Sequence, residues 1–210
     1  MSSTNRGYSR HVADYYVTPQ KPIKEFLNLF LYDEDISCPD RMKWLDPCCG
    51  GDENNEPSYA NVIKRNFEPR EIVTMDIRED SHADIKADFL LHTIQNEQDK
   101  PDIVISNPPF YLAEEFIRKG LSLVSDGGYV IMLLRLNFFG SAQRKPFFEE
   151  NMPKYCYIHH KRINFIPDSM KAQMKANGDK VPSGDSIEYA HFVWQKGYKE
   201  NHCKTFVIKI

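Results

Sequence analysis

Apolar positions in this chain come in short runs broken by acidic, glycine and proline residues, and the spacing of the runs sets the architecture. Trp44-Leu45, Ile72 to Ile77, Ile85 to Phe89, Ile103 to Ser106 and Tyr129 to Leu134 read as buried strands. Between them, Ser58 to Phe67 and Leu112 to Val124 read as helices, the second closed by Asp126-Gly127-Gly128. Ahead of all of these, Ile23, Phe26, Leu27, Phe30 and Leu31 fall on one helical face, with Thr18 the expected cap and Pro19 near the first turn. Strands alternating with helices imply a parallel sheet wound on both faces. After Leu134 the rhythm changes. Tyr155 to Phe165, Ile187 to Trp194 and Thr205 to Ile210 read as strands, and the polar stretch Pro167 to Asp185 has no clear core face, which suits a mobile substrate-facing loop. The expected fold class is α/β: a doubly wound, mostly parallel sheet with antiparallel C-terminal strands. Residues 1–210 read as a single domain, with 140–185 a candidate substrate-recognition insertion.

Composition narrows the function classes. Hydrophobic residues at 41% and aromatics at 12% of 210 residues supply a large core, which excludes wholesale disorder. The run Tyr129 to Leu134 is far shorter than the roughly 20 residues that cross a bilayer, and the polar N-terminus lacks a signal-peptide core. A cytoplasmic protein with no membrane partner is expected. Five cysteines are an odd number, and adjacent Cys48-Cys49 lacks zinc-knuckle spacing, so reduced thiols and no metal are expected. A net charge of −3 argues against nucleic-acid binding by bulk positive charge. The charge is uneven, however: residues 1–105 carry 12 Lys and Arg against 20 Asp and Glu, and 106–210 carry 15 against 10.

Ligands of open α/β sheets bind at the carboxyl ends of the strands, so the residues after each strand carry the chemistry. Asp46-Pro47-Cys48-Cys49-Gly50-Gly51 follows the first; its small residues suit a close backbone approach to a ligand or, equally, a tight turn. No Gly-x-Gly-x-x-Gly and no phosphate-holding Lys-Ser/Thr is present, which disfavours a phosphate-rich cofactor. The second strand ends in Met75-Asp76-Ile77, placing a carboxylate where a ribose diol can bond to it, although an exposed turn aspartate reads as well. Ala87-Asp88-Phe89 suits an adenine amino group and ring. The most informative segment is Ser106-Asn107-Pro108-Pro109-Phe110. Two prolines remove backbone donors and fix torsions, leaving carbonyl oxygens beside an Asn amide and an aromatic face. Such a rigid, acceptor-rich notch suits a planar substrate bearing an amino group.

These segments in this order resemble the successive motifs of the class I S-adenosylmethionine-dependent methyltransferases, and within them the amino-methylating group with an (Asp/Asn/Ser)-Pro-Pro-(Tyr/Phe) signature. Tyr16-Val17-Thr18-Pro19 is similar to the N-terminal motif that contacts the methionine end of the cofactor in adenine DNA methylases. The likeness runs from about Tyr15 to Leu134, with a weaker echo through Asp185-Ser186-Ile187-Glu188-Tyr189, and is strongest to small adenine-type methylases of bacteria and their phages. Two positions depart from the pattern: Asp52 follows Gly51, and Phe110 stands where Tyr is commoner. The resemblance implies a Rossmann-like class I methyltransferase fold, S-adenosyl-L-methionine as cofactor, and methyl transfer to the exocyclic amino group of adenine in DNA. An RNA base or a protein glutamine amide is the alternative substrate, and an inactive cofactor-binding partner subunit the alternative of another class.

Carried onto this chain, the resemblance gives the methionine portion to Tyr16, Thr18, Pro19 and the loop of Asp46, Pro47, Cys48 and Gly50. The ribose goes to Asp76 and Ile77, the cofactor adenine to Asp88 and Phe89, and the target to Asn107, Pro108, Pro109 and Phe110, with Asn107 also bordering the cofactor. Acceptor bonds from Asn107 and Pro108 would point the amine lone pair at the sulfonium methyl, so positioning and electrostatics carry the catalysis. A base must be unstacked to reach the notch, and phosphate contacts must help offset that cost. Residues 141–180 hold eight Lys and Arg against four Asp and Glu, so Arg144, Lys145, Lys161, Arg162, Lys171 and Lys175 are the expected nucleic-acid contacts. His159-His160 reads as two surface strand histidines, and Arg135 and Asn137 border the target notch or serve the fold. Nucleic acid, DNA in preference to RNA, is the expected partner of a monomer or homodimer.

Overall fold

In the computed structural model, which describes residues 16–166, 168–181 and 187–209, eight strands form one mixed sheet. They are β1 (Lys43–Asp46), β2 (Glu71–Asp76), β3 (Ile85–Lys86), β4 (Ile103–Ser106), β5 (Tyr129–Arg135), β6 (Tyr155–His159), β7 (Tyr189–Gln195) and β8 (Lys204–Ile208). The helices are α1 (Gln20–Asp33), α2 (Ser58–Phe67), α3 (Ala113–Leu123), α4 (Lys145–Glu150) and α5 (Asp168–Ala176). Strand order is β3-β2-β1-β4-β5-β7-β6-β8. β1 to β5 run parallel, β7 is antiparallel to both β5 and β6, and β8 joins β6 in parallel at the edge. The expected parallel sheet with antiparallel C-terminal strands is present.

Burial on both faces explains why the strands read as continuous apolar runs. One face packs Trp44, Ile103, Ile105, Ile131 and Leu133 beneath Ile23, Phe26, Leu27 and Phe30 of α1 and Tyr59, Val62 and Ile63 of α2. The alternate residues Leu45, Val104, Val130, Met132 and Leu134 pack beneath Phe116 and Ile117 of α3, with Phe147 of α4 in the same cluster. Gly120 lets α3 lie close: a Cβ there would meet both Val130 methyls at 3.0 Å.

Several segments differ from the sequence expectation. Asp168–Ala176 is helical, so the stretch expected to be a loop is only partly one; Pro167 and residues 182–186 lie outside the described residues. β6, within the 140–185 span, is a strand of the sheet, with α4 before it and α5 after it. β3 is two residues long, and its continuation turns into a 3-10 helix over Phe89–Leu91. His159 is not on the surface. It is 2% exposed because strand alternation places it on the α1/α2 side with Tyr155 and Tyr157.

There His159 belongs to a buried chain: Tyr59 Oη lies 2.9 Å from His191 Nε2, and His191 Nδ1 lies 2.8 Å from His159 Nε2. Phe26 stacks on His191 at 4.0 Å. Burial pushes His159 down to about 4, with His160 adding repulsion, and pushes His191 well below the ordinary imidazole range. Both are neutral in the folded state, whereas the unfolded chain takes up protons below about pH 6.5. Their stabilisation is complete above that pH and lost as the pH falls from about 6.5 towards 4. The stability advantage of the wild type over a His159→Gln/His191→Gln double variant should therefore shrink by about 4 kcal/mol, roughly 2 for each histidine, between pH 7 and pH 5 in urea titrations. A constant difference would contradict the neutral buried pair.

Candidate active site

Strand order reverses between β1 and β4, and at that switch point a crevice opens beyond the strand ends. A buried carboxylate ties its two sides. Asp46, fully buried, accepts a 2.6 Å hydrogen bond at Oδ1 from the Ser106 hydroxyl. The Cys48 backbone N–H donates to Ser106 Oγ at 3.1 Å and to Asp46 Oδ1 at 3.3 Å. Burial raises the Asp46 carboxyl to about 7, against the downward pull of the Ser106 and Cys48 hydrogen bonds and with added repulsion from Asp76. Burial also holds the Cys48 and Cys49 thiols above their ordinary range, helped by the same two aspartates, so neither is an activated nucleophile. All five cysteines are free thiols.

A second carboxylate holds the glycine loop. Asp76 accepts from the Gly50 N–H at Oδ2 (2.8 Å) and from the Arg78 N–H at Oδ1 (2.9 Å). Each oxygen retains a further lone pair for a ligand. Gly51 has φ +85°, and a Cβ on it would meet His82 Cβ at 2.9 Å and the Pro57 ring at 3.1 Å. The small residue here serves loop-on-loop packing.

On the other side, the Asn107 Nδ2 donates to Thr18 Oγ1 at 3.1 Å. This corrects the expected role of Thr18. The residue flanking α1 is Pro19, with no side-chain cap, and Thr18 is buried at 3% exposure, bonded to the Asn107 amide 89 residues away. With its NH2 group committed to Thr18, the carboxamide presents Oδ1 as its acceptor. Pro108 is buried, and the half-buried Phe110 ring lies 5.9 Å from Tyr189 with the Arg135 guanidinium 5.0 Å over its centroid.

One narrow cleft of about 570 Å³, counting its open mouth, joins these parts. Of the residues named from the motifs, Tyr16, Thr18, Cys48, Asp76, Ile77, Asn107 and Pro109 line it, with Asp46 beneath. Ser58 and Tyr59 of α2, Val17, Cys49 and Arg78 line it too. Val17 and Cys49 fall within the motifs read from the sequence, whereas Ser58, Tyr59 and Arg78 were passed over, although a helix starting directly after a ligand loop is a recognisable signal for Ser58. Pro19, Pro47, Gly50, Pro108 and Phe110 are outside the lining. So are Asp88 and Phe89: Asp88 caps the following 3-10 helix by accepting from the Leu90 N–H at 2.9 Å, and Phe89 is packed in the core 5.1 Å from Phe116.

The basic residues are unequally available. Arg144 lies 4.5 Å over the Phe138 ring and donates to the Phe138 carbonyl; Arg162 pairs with Glu188 at 3.2 Å, and Lys145 with Glu149 at 3.6 Å. Lys161 and Lys175 are exposed, and Lys171 is half-buried on α5.

No protein-family model matches the chain, and no curated protein matches its sequence. Solved structures do match. A Listeria monocytogenes chain assigned as a class I S-adenosylmethionine-dependent methyltransferase superposes with a TM-score of 0.58 at 15% identity, over 90% of this chain and 65% of that one. The fold is that of the class I methyltransferases. The M protein of the type I restriction enzyme EcoKI matches with a TM-score of 0.57 at 12% identity (90% and 46% covered), and TrmN from Thermus thermophilus with 0.50 at 17% (83% and 52%). The chain thus spans less than two-thirds of each of these proteins. Among its described residues, no helix is long and apolar enough to cross a membrane.

If the Asp46–Ser106 bond closes the site, Ser106→Ala removes a donor to one buried group and an acceptor from another. Urea unfolding should then show a loss of about 1–3 kcal/mol; a change below about 0.5 kcal/mol, the level of surface substitutions, would contradict that role.

Proposed function

We propose that this protein transfers a methyl group from S-adenosyl-L-methionine to the exocyclic amino group of adenine in DNA. The observation that carries the reading is the Asn107 amide, oriented by Thr18 so that its oxygen is the acceptor, at a Pro-Pro strand end beside a cleft with two carboxylates.

The residues present fit the cofactor. S-adenosylmethionine is cationic at its sulfonium and ammonium, and Asp46 and Asp76 supply negative charge, with Asp46 Oδ2 buried and unpaired among the described residues. Asp76 takes the ribose hydroxyls on its remaining lone pairs, and Ser58 at the α2 N-terminus faces the methionine carboxylate. Asp88 and Phe89 support the adenine end indirectly, since neither lines the cleft. The bound cofactor supplies an electrophilic methyl on sulfur. Asn107 Oδ1 and the Pro108 carbonyl accept the two amine N–H bonds and aim the nitrogen lone pair along the transfer axis; Thr18 holds the amide in that sense. Phe110 stacks on the target ring, a contact worth about 1–3 kcal/mol per base. Lys161 and Lys175 contact phosphates, and Lys171, Arg144, Lys145 and Arg162 join them by exchanging their present partners.

The test is tritiated methyl transfer to DNA, transfer RNA and ribosomal RNA in parallel, followed by mass spectrometry of the nucleosides. The expected product is N6-methyladenine in DNA; methylation of RNA alone would overturn the DNA assignment. Asn107→Ala should keep the cofactor dissociation constant within about twofold and lower kcat at least about a hundredfold, and Thr18→Val should lower kcat by a smaller factor. Unchanged turnover in Asn107→Ala would reject its role.

A further inference from the structure

Arg135 is the last residue of β5, the strand beside β4, and its guanidinium sits 5.0 Å over the centre of the Phe110 ring. Its Nε is buried and has no hydrogen-bond partner among the described residues. The nearby carboxylate of Glu188, whose backbone carbonyl accepts from the next residue, Leu136, is engaged by Arg162 at 3.2 Å. Among the described residues, a permanently charged group is therefore stacked on an aromatic face with its buried Nε–H unmatched, a state that calls for a role. The ring beneath it is the one that, in the reading above, receives the target.

We propose that Arg135 reads the target: it holds the Phe110 face in the free protein and, when a flat heterocycle takes that face, donates hydrogen bonds to a ring nitrogen beside the amino group at Asn107. The inference rests on the amino-methylation reading. A guanidinium offers donors only. The adenine amine is flanked by two ring acceptors, N1 and N7. The guanine amine has N1–H on one side, a donor that would oppose the guanidinium, and the acceptor N3 on the other. Arg135 thus favours an amine with a ring acceptor at its side, which adenine presents on both flanks, where the acceptors at Asn107 and Pro108 recognise only an amine. Displacement is favoured because the cation–π contact gives way to base stacking while the unpaired Nε–H gains a partner.

The experiment uses the full chain, S-adenosylmethionine and single-stranded DNA oligonucleotides carrying one adenine, 7-deazaadenine or 1-deazaadenine in mixed flanking sequence. The wild type should lose about tenfold or more in kcat/KM on one of the two deaza substrates. Arg135→Ala should lose a similar factor on adenine, discriminate no longer against that deaza base, and keep the cofactor dissociation constant, because Arg135 does not line the cofactor cleft. Arg135→Lys should recover part of the loss. Equal methylation of all three substrates by the wild type overturns the inference without requiring any variant to fold, and so does undiminished discrimination in Arg135→Ala. Failure of the wild type to methylate plain adenine in any oligonucleotide is a different result. It overturns the amino-methylation reading, and this inference with it.

Discussion

The hydrogen bond from the Ser106 hydroxyl to the buried Asp46 carboxylate joins the ends of two strands at the point where the sheet changes direction. Chain segments leave β1 and β4 in opposite senses there, and the crevice between them exists only while those ends are held at fixed separation. The Cys48 N–H, bonded to both partners, carries the constraint into the glycine loop, and Asp76 extends it by gripping the Gly50 N–H. A carboxyl raised to about 7 in full burial is an expensive component. It lies beneath the cleft with one oxygen unpaired among the described residues.

The opposite wall is built from a distant part of the sequence. Asn107 projects from a turn stiffened by two prolines, and Thr18, just ahead of α1, fixes which end of its amide serves as acceptor. The α1 helix buries Ile23, Phe26, Leu27 and Phe30 on the sheet, so the segment that orients Asn107 is anchored by the core and not by the ligand. Phe110 in turn touches both core clusters and Tyr189, so its ring is held on rigid supports. The Arg135 guanidinium above that ring has its Nε buried and unpartnered among the described residues.

Much of this was legible in the sequence, for physical reasons. Strands buried on both faces show as unbroken apolar runs, so β1, β2, β4, β5 and β7 could be placed, and an Asn-Pro-Pro-Phe turn restricts backbone and donor count by covalent structure alone. What was not legible depends on tertiary partners. Thr18 looks like a helix cap until Asn107 is beside it. His159 looks exposed until the Tyr59–His191 chain absorbs its polarity. Phe89 suits an adenine pocket by type, yet a short β3 turns it into the core against Phe116. The α5 segment lacks a strong apolar face, and the pairing of Arg162 with Glu188 spans 26 residues.

The central claim is that one crevice positions a sulfonium donor against the Asn107 amide. A crystal structure of the protein with S-adenosylhomocysteine tests it most directly. The account predicts the ribose hydroxyls within hydrogen-bond distance of Asp76 and the sulfur in the part of the cleft bounded by Thr18 and Asn107. A ligand bound elsewhere, or in this cleft with its sulfur turned away from Asn107, would contradict it.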